Sequence, residues 1–447
     1  MNLVYGIKDR PGFGKIILFA IQQLLAIMAA TIAVPAIVGN GLTASAALFG
    51  AGFGTIIYLI FTKSSSPVFL GSSFAFIGSM FSAFGGAASV TIGYWGLIIG
   101  ALMAGIVYII IAAVVKAFGV EWINKLMPPV IIGPTVAIIG LSLSSNAIGD
   151  LMKSNIESGS SYVALICGLT TLAVTMLCST YGKKIGKLIP FIQGILAGYI
   201  LASIFAVIGK ATGNESLVII NYSALTSLDF HKVSAYVSLP QFAFILGGTE
   251  GLKGISGTYL LTIFAAYVPV AFVVFAEHLA DHKNLSAIVG VDLLKEPGLT
   301  RTLLGDGVGT FVSTLFGGCP NTTYGESIGC VAITRNASTI SIWGCAFLCI
   351  IFSLLTPLVA FLSTIPSCVM GGVCVALYGF IAVSGLKMFQ TVDLNKNKNL
   401  FVASVILITG VGGMVLKFGA VEIRTVACAL ILGILTNVML SKEKDEE

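Results

Sequence analysis

The chain has 447 residues, of which 57% are hydrophobic and only 10% are charged. A soluble domain carries about 25% charged residues, so the composition excludes an ordinary soluble protein, and disorder is excluded because disordered chains are poor in apolar residues. The net charge is +5, but the sequence has no basic stripe with interleaved aromatic residues, so no nucleic-acid partner is expected. The long, continuous apolar runs predict an all-α polytopic membrane protein and not a β-barrel.

Fourteen apolar segments follow one another along the chain. They lie at 14–38, 43–61, 67–84, 92–118, 129–147, 162–180, 187–208, 257–280, 301–318, 320–334, 338–363, 368–388, 398–416 and 420–440. The first run lacks a small-residue cleavage site, so it is predicted to be a retained span. The longest polar interruption, 209–256, is predicted to be a solvated outer segment with a short helix.

Charge asymmetry predicts the orientation of the spans. With a cytoplasmic N-terminus, 18 of the 24 Lys and Arg residues fall on the inside, as the positive-inside rule requires. The pattern therefore predicts an even number of spans, with both termini cytoplasmic. Location in the cell inner (plasma) membrane is expected with this orientation. Lys417 and Arg424 do not fit this pattern, which makes the last hairpin the weakest assignment.

The third and tenth segments are predicted to be broken helices. The third begins at Pro67 and carries Gly, Ser and aromatic residues, and the tenth begins at Pro320 and is too polar for a lipid-facing helix. They occupy matching places in two seven-span halves, which is typical of an inverted-repeat transporter. Non-helical backbone at membrane depth persists only where protein or a cavity satisfies its polar groups.

Acidic residues inside apolar runs mark the candidate site. Glu277 and Glu326 would each cost about 2.5–3.5 kcal/mol to insert, so a functional role is favoured for both. Asp281 lies four residues after Glu277 and shares its helix face, whereas His278 should point elsewhere. Asp306 is expected to serve as a cap or loop residue. Two carboxyl groups, backbone N–H groups at a helix break and aromatic walls would suit a small planar molecule with N–H and carbonyl groups.

The remaining reactive residues indicate no metal, cofactor or catalytic centre. The nine cysteines lie in or beside apolar runs without CxxC spacing, and the three histidines are scattered. No nucleophile elbow or metal-ligand set is present, so an enzyme is not predicted.

Several motifs resemble one transporter family over nearly the whole chain. They are AEHLADH at 276–282, DLLKEPG at 292–298, CPNTTYGESIGCVAITR at 319–335, GSSFAF at 71–76, PPVIIGP at 128–134 and VMGGV at 369–373. This pattern resembles the nucleobase–ascorbate transporter family, and within it the bacterial uracil permeases.

The resemblance implies fourteen spans in two inverted seven-span repeats, with short antiparallel strands in the broken third and tenth spans. It implies a core domain at 1–127 (spans 1–4) and 257–365 (spans 8–11). It implies a gate domain at 128–208 (spans 5–7) and 366–447 (spans 12–14 and the tail), with 209–256 as an extracytoplasmic loop. A homodimer in the lipid bilayer is expected.

The resemblance also assigns roles to individual residues. Glu277 and Glu326 would accept hydrogen bonds from the base, and the backbone N–H groups of Phe74 and Gly325 would donate to it. Tyr324 and Tyr378 would make packing or water-mediated contacts. Glu rather than Gln at 326 is typical of uracil-type members.

Three positions depart from the family pattern. Ser327 replaces the usual Asn, Asp281 stands where uracil permeases often have His, and Gln22-Gln23 replaces a common Gln-His pair. These departures bear on the substrate and the coupling more than on the fold.

The leading hypothesis is uracil import by proton symport through alternating access, with Glu277 and Asp281 handling the proton. A purine permease for xanthine or guanine is the alternative within the family. A channel or anion exchanger of the same architecture is more remote, because intramembrane acids would repel anions, and a membrane-embedded enzyme is remoter still.

Overall fold

A computed structural model describes residues 3–119, 122, 127–183, 189–418 and 421–441. The first half of the described chain consists of α1 (Phe13–Val38), α2 (Ala44–Phe61), β1 (Leu70–Ser72), α3 (Ile77–Gly85), α4 (Val90–Phe118), α5 (Pro129–Ser142), α6 (Ser144–Leu151), α7 (Ser161–Tyr181) and α8 (Pro190–Thr212). The predicted spans therefore recur as helices, with the third replaced by a short strand and a short helix.

The connecting segment and the second half follow. They contain α9 (Ser223–Thr226), α10 (Ala243–Lys253), α11 (Gly257–Val289), α12 (Leu299–Leu315), β2 (Asn321–Thr323), α13 (Gly325–Thr334), α14 (Thr339–Leu354), α15 (Thr356–Ser363), α16 (Ser367–Phe389), α17 (Asn397–Val411), β3 (Leu416–Phe418), β4 (Val421–Ile423) and α18 (Thr425–Met439). The 209–256 segment, for which one short helix is predicted, contains two α-helices, α9 and α10. The predicted span starts at 187 and 420 and the tail from 442 lie outside the described residues.

Eight helices of the described chain are long and apolar enough to cross a membrane. They are Phe13–Val38, Ala44–Phe61, Val90–Phe118, Pro129–Leu151, Ser161–Tyr181, Pro190–Thr212, Gly257–Val289 and Ser367–Phe389. Large apolar side chains on their outer faces, such as Ile106, Ile110 and Ile200, are exposed. Such surfaces suit lipid and not water. The prediction of a helical, multi-pass membrane protein is confirmed.

The helices pack in two groups, and each group takes elements from both halves of the chain. In the first helix group, α1–α4 pack with α11–α14, most closely where α12 lies between α2 and α4. In the second helix group, α5–α8 pack with α16–α18, most closely where α5 meets α16. Glycines permit these close approaches: a Cβ at Gly105 of α4 would lie 2.8 Å from the carbonyl oxygen of Gly307 on α12.

The two broken spans meet inside the first helix group. β1 pairs antiparallel with β2, so that Leu70 lies opposite Thr323 and Ser72 opposite Asn321. The antiparallel strands expected in the third and tenth spans are therefore confirmed.

Side-chain hydroxyl groups form hydrogen bonds with backbone groups on the outer edges of this two-stranded sheet. The backbone N–H of Leu70 donates to Thr55 Oγ1 at 2.9 Å, and Thr310 Oγ1 donates to the carbonyl of Asn321 at 2.7 Å. Because no water is available in a bilayer, such internal partners allow extended backbone at this depth.

Candidate substrate-binding site

A cavity of about 370 Å³ lies between the two helix groups. Its lining comes from the broken spans and α11 on one side and from α5, α8 and α16 on the other. The lining residues that argue for a ligand are Phe74, Glu277, Asp281, Tyr324, Gly325 and Glu326. The cavity falls in the size range of small-molecule sites, about 300–1,000 Å³.

Two half-buried carboxyl groups, those of Glu277 and Glu326, line the same cavity. Glu277 lies on α11, and Glu326 lies in the first turn of α13. Most of the remaining lining is apolar, including Val136, Ile139 and Phe191. A cavity of this kind offers hydrogen-bond acceptors for N–H groups between flat apolar walls.

Backbone donors accompany the carboxyl groups. Gly325 is the first residue of α13, so its N–H is among those that have no partner within the helix. Such N–H groups at a helix start favour carbonyl or anionic oxygen. Phe74, on the link between β1 and α3, lies in the wall of the same cavity.

The two tyrosines differ in position. The Tyr324 hydroxyl donates to the carbonyl of Ser72 at 2.7 Å, so this side chain fastens β2 to β1 while lining the cavity. Tyr378 is buried and is not among the lining residues. Its ring meets that of Phe74 edge-on, with centroids 5.7 Å apart, so it supports the Phe74 wall from behind.

Asp281 lines the cavity and is hydrogen-bonded to the broken span. Thr323 Oγ1 donates to Asp281 Oδ2 at 2.6 Å. Thr323 is the last residue of β2 and immediately precedes Tyr324 and Gly325. Sequence reasoning missed Thr323, although it lies inside the quoted motif. No spacing in the sequence reveals this contact, because Asp281 and Thr323 lie on different segments, 42 residues apart.

Ser327 provides a strut in place of the amide that the family pattern carries there. Its fully buried hydroxyl oxygen accepts hydrogen bonds from Gln23 Nε2 and from the backbone N–H of Phe69, the latter at 2.9 Å. It thus joins α1, the segment before β1 and α13 directly behind Glu326. A hydroxyl group thus supports this part of the site, where the family pattern has an amide.

The expected capping or loop role for Asp306 is wrong. Asp306 lies inside α12, is fully buried, and has its Oδ2 2.7 Å from His278 Nδ1. His278 points away from the cavity lining, as predicted. The spacing could not reveal the pair because His278 and Asp306 lie on different helices.

A second, smaller cavity of about 230 Å³ lies on the other side of the Phe74 wall. It shares Phe74, Ala75 and Ile139 with the first cavity and is also lined by Asn146 and Arg424. Arg424 Nε donates to Ser82 Oγ at 2.6 Å, which joins the start of α18 to α3 across the two helix groups.

The described residues contain no grouping of three or more His, Cys, Asp or Glu side chains suited to a metal ion. The polar side chains that line the cavity include the carboxyl groups of Glu277, Asp281 and Glu326, which are hydrogen-bonding groups. A family model described as "Permease family" matches residues 14–418.

The chain belongs to this permease family.

Named relatives extend over nearly its full length. The uracil permease of Bacillus subtilis (strain 168) is 36% identical over 450 residues, which covers 99% of this chain and 96% of that protein. The uracil permease of Bacillus caldolyticus is 38% identical over 440 residues, which covers 98% of this chain and 94% of that protein.

Solved structures of more distant proteins share the fold. A structure of SLC26A9 has a TM-score of 0.66 at 12% identity and covers 95% of this chain, which in turn spans 64% of that longer chain. The transmembrane domain of the cyanobacterial bicarbonate transporter BicA has a TM-score of 0.60 at 14% identity. The match covers 96% of this chain and 99% of that domain. At these identities the likeness concerns the fold alone.

Proposed function

We propose that this permease imports uracil together with a proton, by alternating access of a site between the two helix groups. The observation that carries the proposal is that Glu277 and Glu326 line one cavity beside the N-terminus of α13. The names of relatives at 36–38% identity agree with it.

The chemistry of the ring fits the chemistry of the cavity. Uracil is planar and carries two N–H donors and two carbonyl acceptors. Glu277 and Glu326 accept from the N–H groups, and the N–H groups of Gly325 and Phe74 donate to the carbonyls. Phe74 and Tyr324 cover the ring, and Tyr378 holds Phe74 in place. Glu326 accepts as a carboxylate, which strengthens its bond, because charge-assisted hydrogen bonds are roughly twice as strong as neutral ones. Glu277 is protonated in the loaded carrier, so its carbonyl oxygen accepts from the ring N–H and its O–H donates to a neighbouring ring carbonyl.

Proton coupling follows from the cost of moving a charge across the membrane. An uncompensated carboxylate in the bilayer costs about 2.5–3.5 kcal/mol on an insertion scale, so a protonated Glu277 makes the loaded carrier cheaper to move. Asp281, nearer the end of α11 that carries Lys283, receives the proton on the inner side. Loss of the proton from Glu277 then weakens uracil binding.

The two helix groups supply the moving parts. The first helix group is the core domain (1–127 and 257–365), and the second is the gate domain (128–208 and 366–447), with fourteen spans in inverted repeats. The cavity extends toward the helix ends near Lys283, Arg335 and Lys387, which the positive-inside rule places in the cytoplasm. The arrangement is therefore inward-facing, in an inner (plasma) membrane homodimer with cytoplasmic termini.

Uptake of labelled uracil into proteoliposomes tests this function. Wild-type protein should accumulate uracil when the outside is acidic, and a protonophore should abolish the accumulation. Glu277→Ala should lose it, whereas Glu250→Ala on exposed α10, whose partner is Lys253, should not. Uptake that ignores the gradient, or an unimpaired Glu277→Ala, would refute the assignment. Competition by xanthine and guanine separates a purine carrier, and large substrate-independent currents would favour a channel.

A further inference from the structure

The helix α11 presents two pairs of polar residues in opposite environments. Glu277 and Asp281, four residues apart, line the cavity. His278 and His282, also four residues apart, are fully buried on the side away from it, with their rings stacked 4.1 Å apart. The histidine pair takes no part in the proposed transport chemistry, and nothing in that proposal requires it.

The buried face is tied to two neighbouring helices. His278 Nδ1 lies 2.7 Å from Asp306 Oδ2 on α12, and its Nε2 lies 3.0 Å from Thr302 Oγ1 on the same helix. His282 Nε2 lies 2.7 Å from Tyr58 Oη on α2. All five side chains are at most 1% exposed.

The protons of these groups can be assigned by counting donors. Thr302 Oγ1 donates its hydrogen to the carbonyl of Leu299 at 3.0 Å, so Nε2 of His278 must carry the hydrogen that it shares with Thr302. One further proton then lies between His278 Nδ1 and Asp306 Oδ2. The pair is neutral overall, which avoids the several kcal/mol that an uncompensated buried charge would cost. His282 donates from Nδ1 to the carbonyl of His278 at 2.8 Å, so the Nε2 of a neutral His282 is an acceptor. This Nε2 faces the hydroxyl groups of Tyr58 at 2.7 Å and Ser66 at 3.4 Å, which are also hydrogen-bonded to each other at 2.7 Å.

We propose that His278 and Asp306 form a proton-sharing pair that fixes the rotation of α11 and thereby aims Glu277 into the cavity. Successive residues of a helix differ by about 100° in direction, so fastening His278 to α12 also sets the direction of its neighbour Glu277. Asp306 Oδ1 has no partner among the described residues, so Asp306 acts through His278 alone. Asp306 is a positioning residue, and its effect on uracil rests on the proposed function.

Two substitutions of Asp306 test the pairing. In Asp306→Asn the amide N–H donates to Nδ1 and the bond to Thr302 persists, so the uracil KM should stay within about twofold of wild type. In Asp306→Ala a buried donor or acceptor of His278 loses its partner, and the KM should rise roughly tenfold while the maximal rate changes less. Asp229→Asn on the exposed outer segment is the matched control for the loss of an acidic group.

Three results would overturn the proposal. They are an unchanged KM in Asp306→Ala, a loss of maximal rate at constant KM as expected for a purely structural defect, and an Asp306→Asn variant as impaired as Asp306→Ala. The last result would mean that the shared proton itself moves during transport.

Nitrogen NMR of histidine-labelled wild-type protein provides a second test that needs neither transport nor a folded alanine variant. The chain has only three histidines, and exposed His231 gives the reference signal. His278 should show a protonated Nε2 and a strongly hydrogen-bonded Nδ1, and His282 a protonated Nδ1 with a bare Nε2. A bare Nε2 on His278 would overturn the assignment even if uracil proved not to be the substrate.

Discussion

At the scale of single residues, the hydrogen bonds around the cavity separate groups that would meet a ligand from groups that hold them. Glu277 and Glu326 face the cavity, whereas Ser327 and Tyr324 use their hydroxyl groups on the backbone or side chains of the broken spans. Substitutions in the first set should change affinity, and substitutions in the second set should also change stability.

Glu326→Gln tests the carboxylate directly. An amide at this position keeps the shape but loses a charge-assisted bond, which contributes about 1.5–3 kcal/mol, so uracil affinity should fall at least tenfold with little change in melting temperature. Competition binding with labelled uracil measures the change. Unaltered affinity would show that Glu326 does not contact the ring, and improved competition by xanthine would fit the family trend at this position.

Thr323→Val tests the link between Asp281 and the broken span. Valine keeps the volume but leaves Asp281 Oδ2 without its donor, so we expect uptake to depend less steeply on the imposed pH gradient and the KM for uracil to rise a fewfold. Thr323→Ser, which restores a hydroxyl, should recover both. If valine and serine variants behave alike, the hydroxyl has no part in coupling.

The sequence identifies the acidic residues of this region but not their partners. Glu277 and Glu326 stand out because carboxyl groups are rare in apolar runs. Thr323 and Ser327 do not stand out, because hydroxyl residues are common in membrane helices and their partners come from distant segments. The pairing of Asp306 with His278 does not stand out in the sequence either, because their distance depends on how α11 and α12 pack.

At the scale of secondary-structure elements, the β1–β2 pair determines where the backbone donors lie. Pro67 and Pro320 allowed the breaks to be predicted, because proline cannot continue a helix through these segments. The extent of α11 was underestimated: it continues to Val289 and not to 280, since the polar residues after Glu277 remain helical. A hydropathy pattern ends where polarity begins, whereas the backbone hydrogen bonds continue.

Gly71→Ala tests the strand pair. A Cβ at Gly71 would overlap the ring of Tyr324, and overpacking of this kind costs about 1–3 kcal/mol. We expect a lower melting temperature and a loss of uracil binding, as measured on purified protein. Gly85→Ala, at the end of α3 where a Cβ meets no atom within 4 Å, is the control. Equal behaviour of the two variants would contradict the packing argument.

At the scale of the whole molecule, the contacts between the helix groups bear on how the cavity opens. Arg424 breaks the positive-inside pattern, and its bond to Ser82 gives a reason for a cation on the predicted outer side. Arg424 lines the second cavity, and the shared wall of Phe74, Ala75 and Ile139 separates that cavity from the first. The composition predicts a bundle of membrane-spanning helices. Only the three-dimensional packing shows that each helix group combines elements from both halves of the chain.

Arg424→Ala should weaken the contact between the two helix groups on the predicted outer side of the membrane. Loss of one hydrogen bond worth about 1 kcal/mol should raise the outward-open population roughly fivefold. A cysteine placed at Asn146 in the second cavity should then react faster with an impermeant maleimide added from outside. Lys210→Ala, an exposed lysine in the last turn of α8, is the control and should leave the rate unchanged. A rate that Arg424→Ala does not alter would show that this contact does not close the outer side.

If one planar nucleobase lies between Glu277 and Glu326, a cryo-electron microscopy map of the protein with uracil will show it there. We predict density for a single ring in the larger cavity, with both carboxyl groups within hydrogen-bonding distance of its N–H groups and Gly325 N–H toward a carbonyl. Density elsewhere, such as in the smaller cavity beside Arg424, or a ring that contacts neither glutamate, would contradict the account.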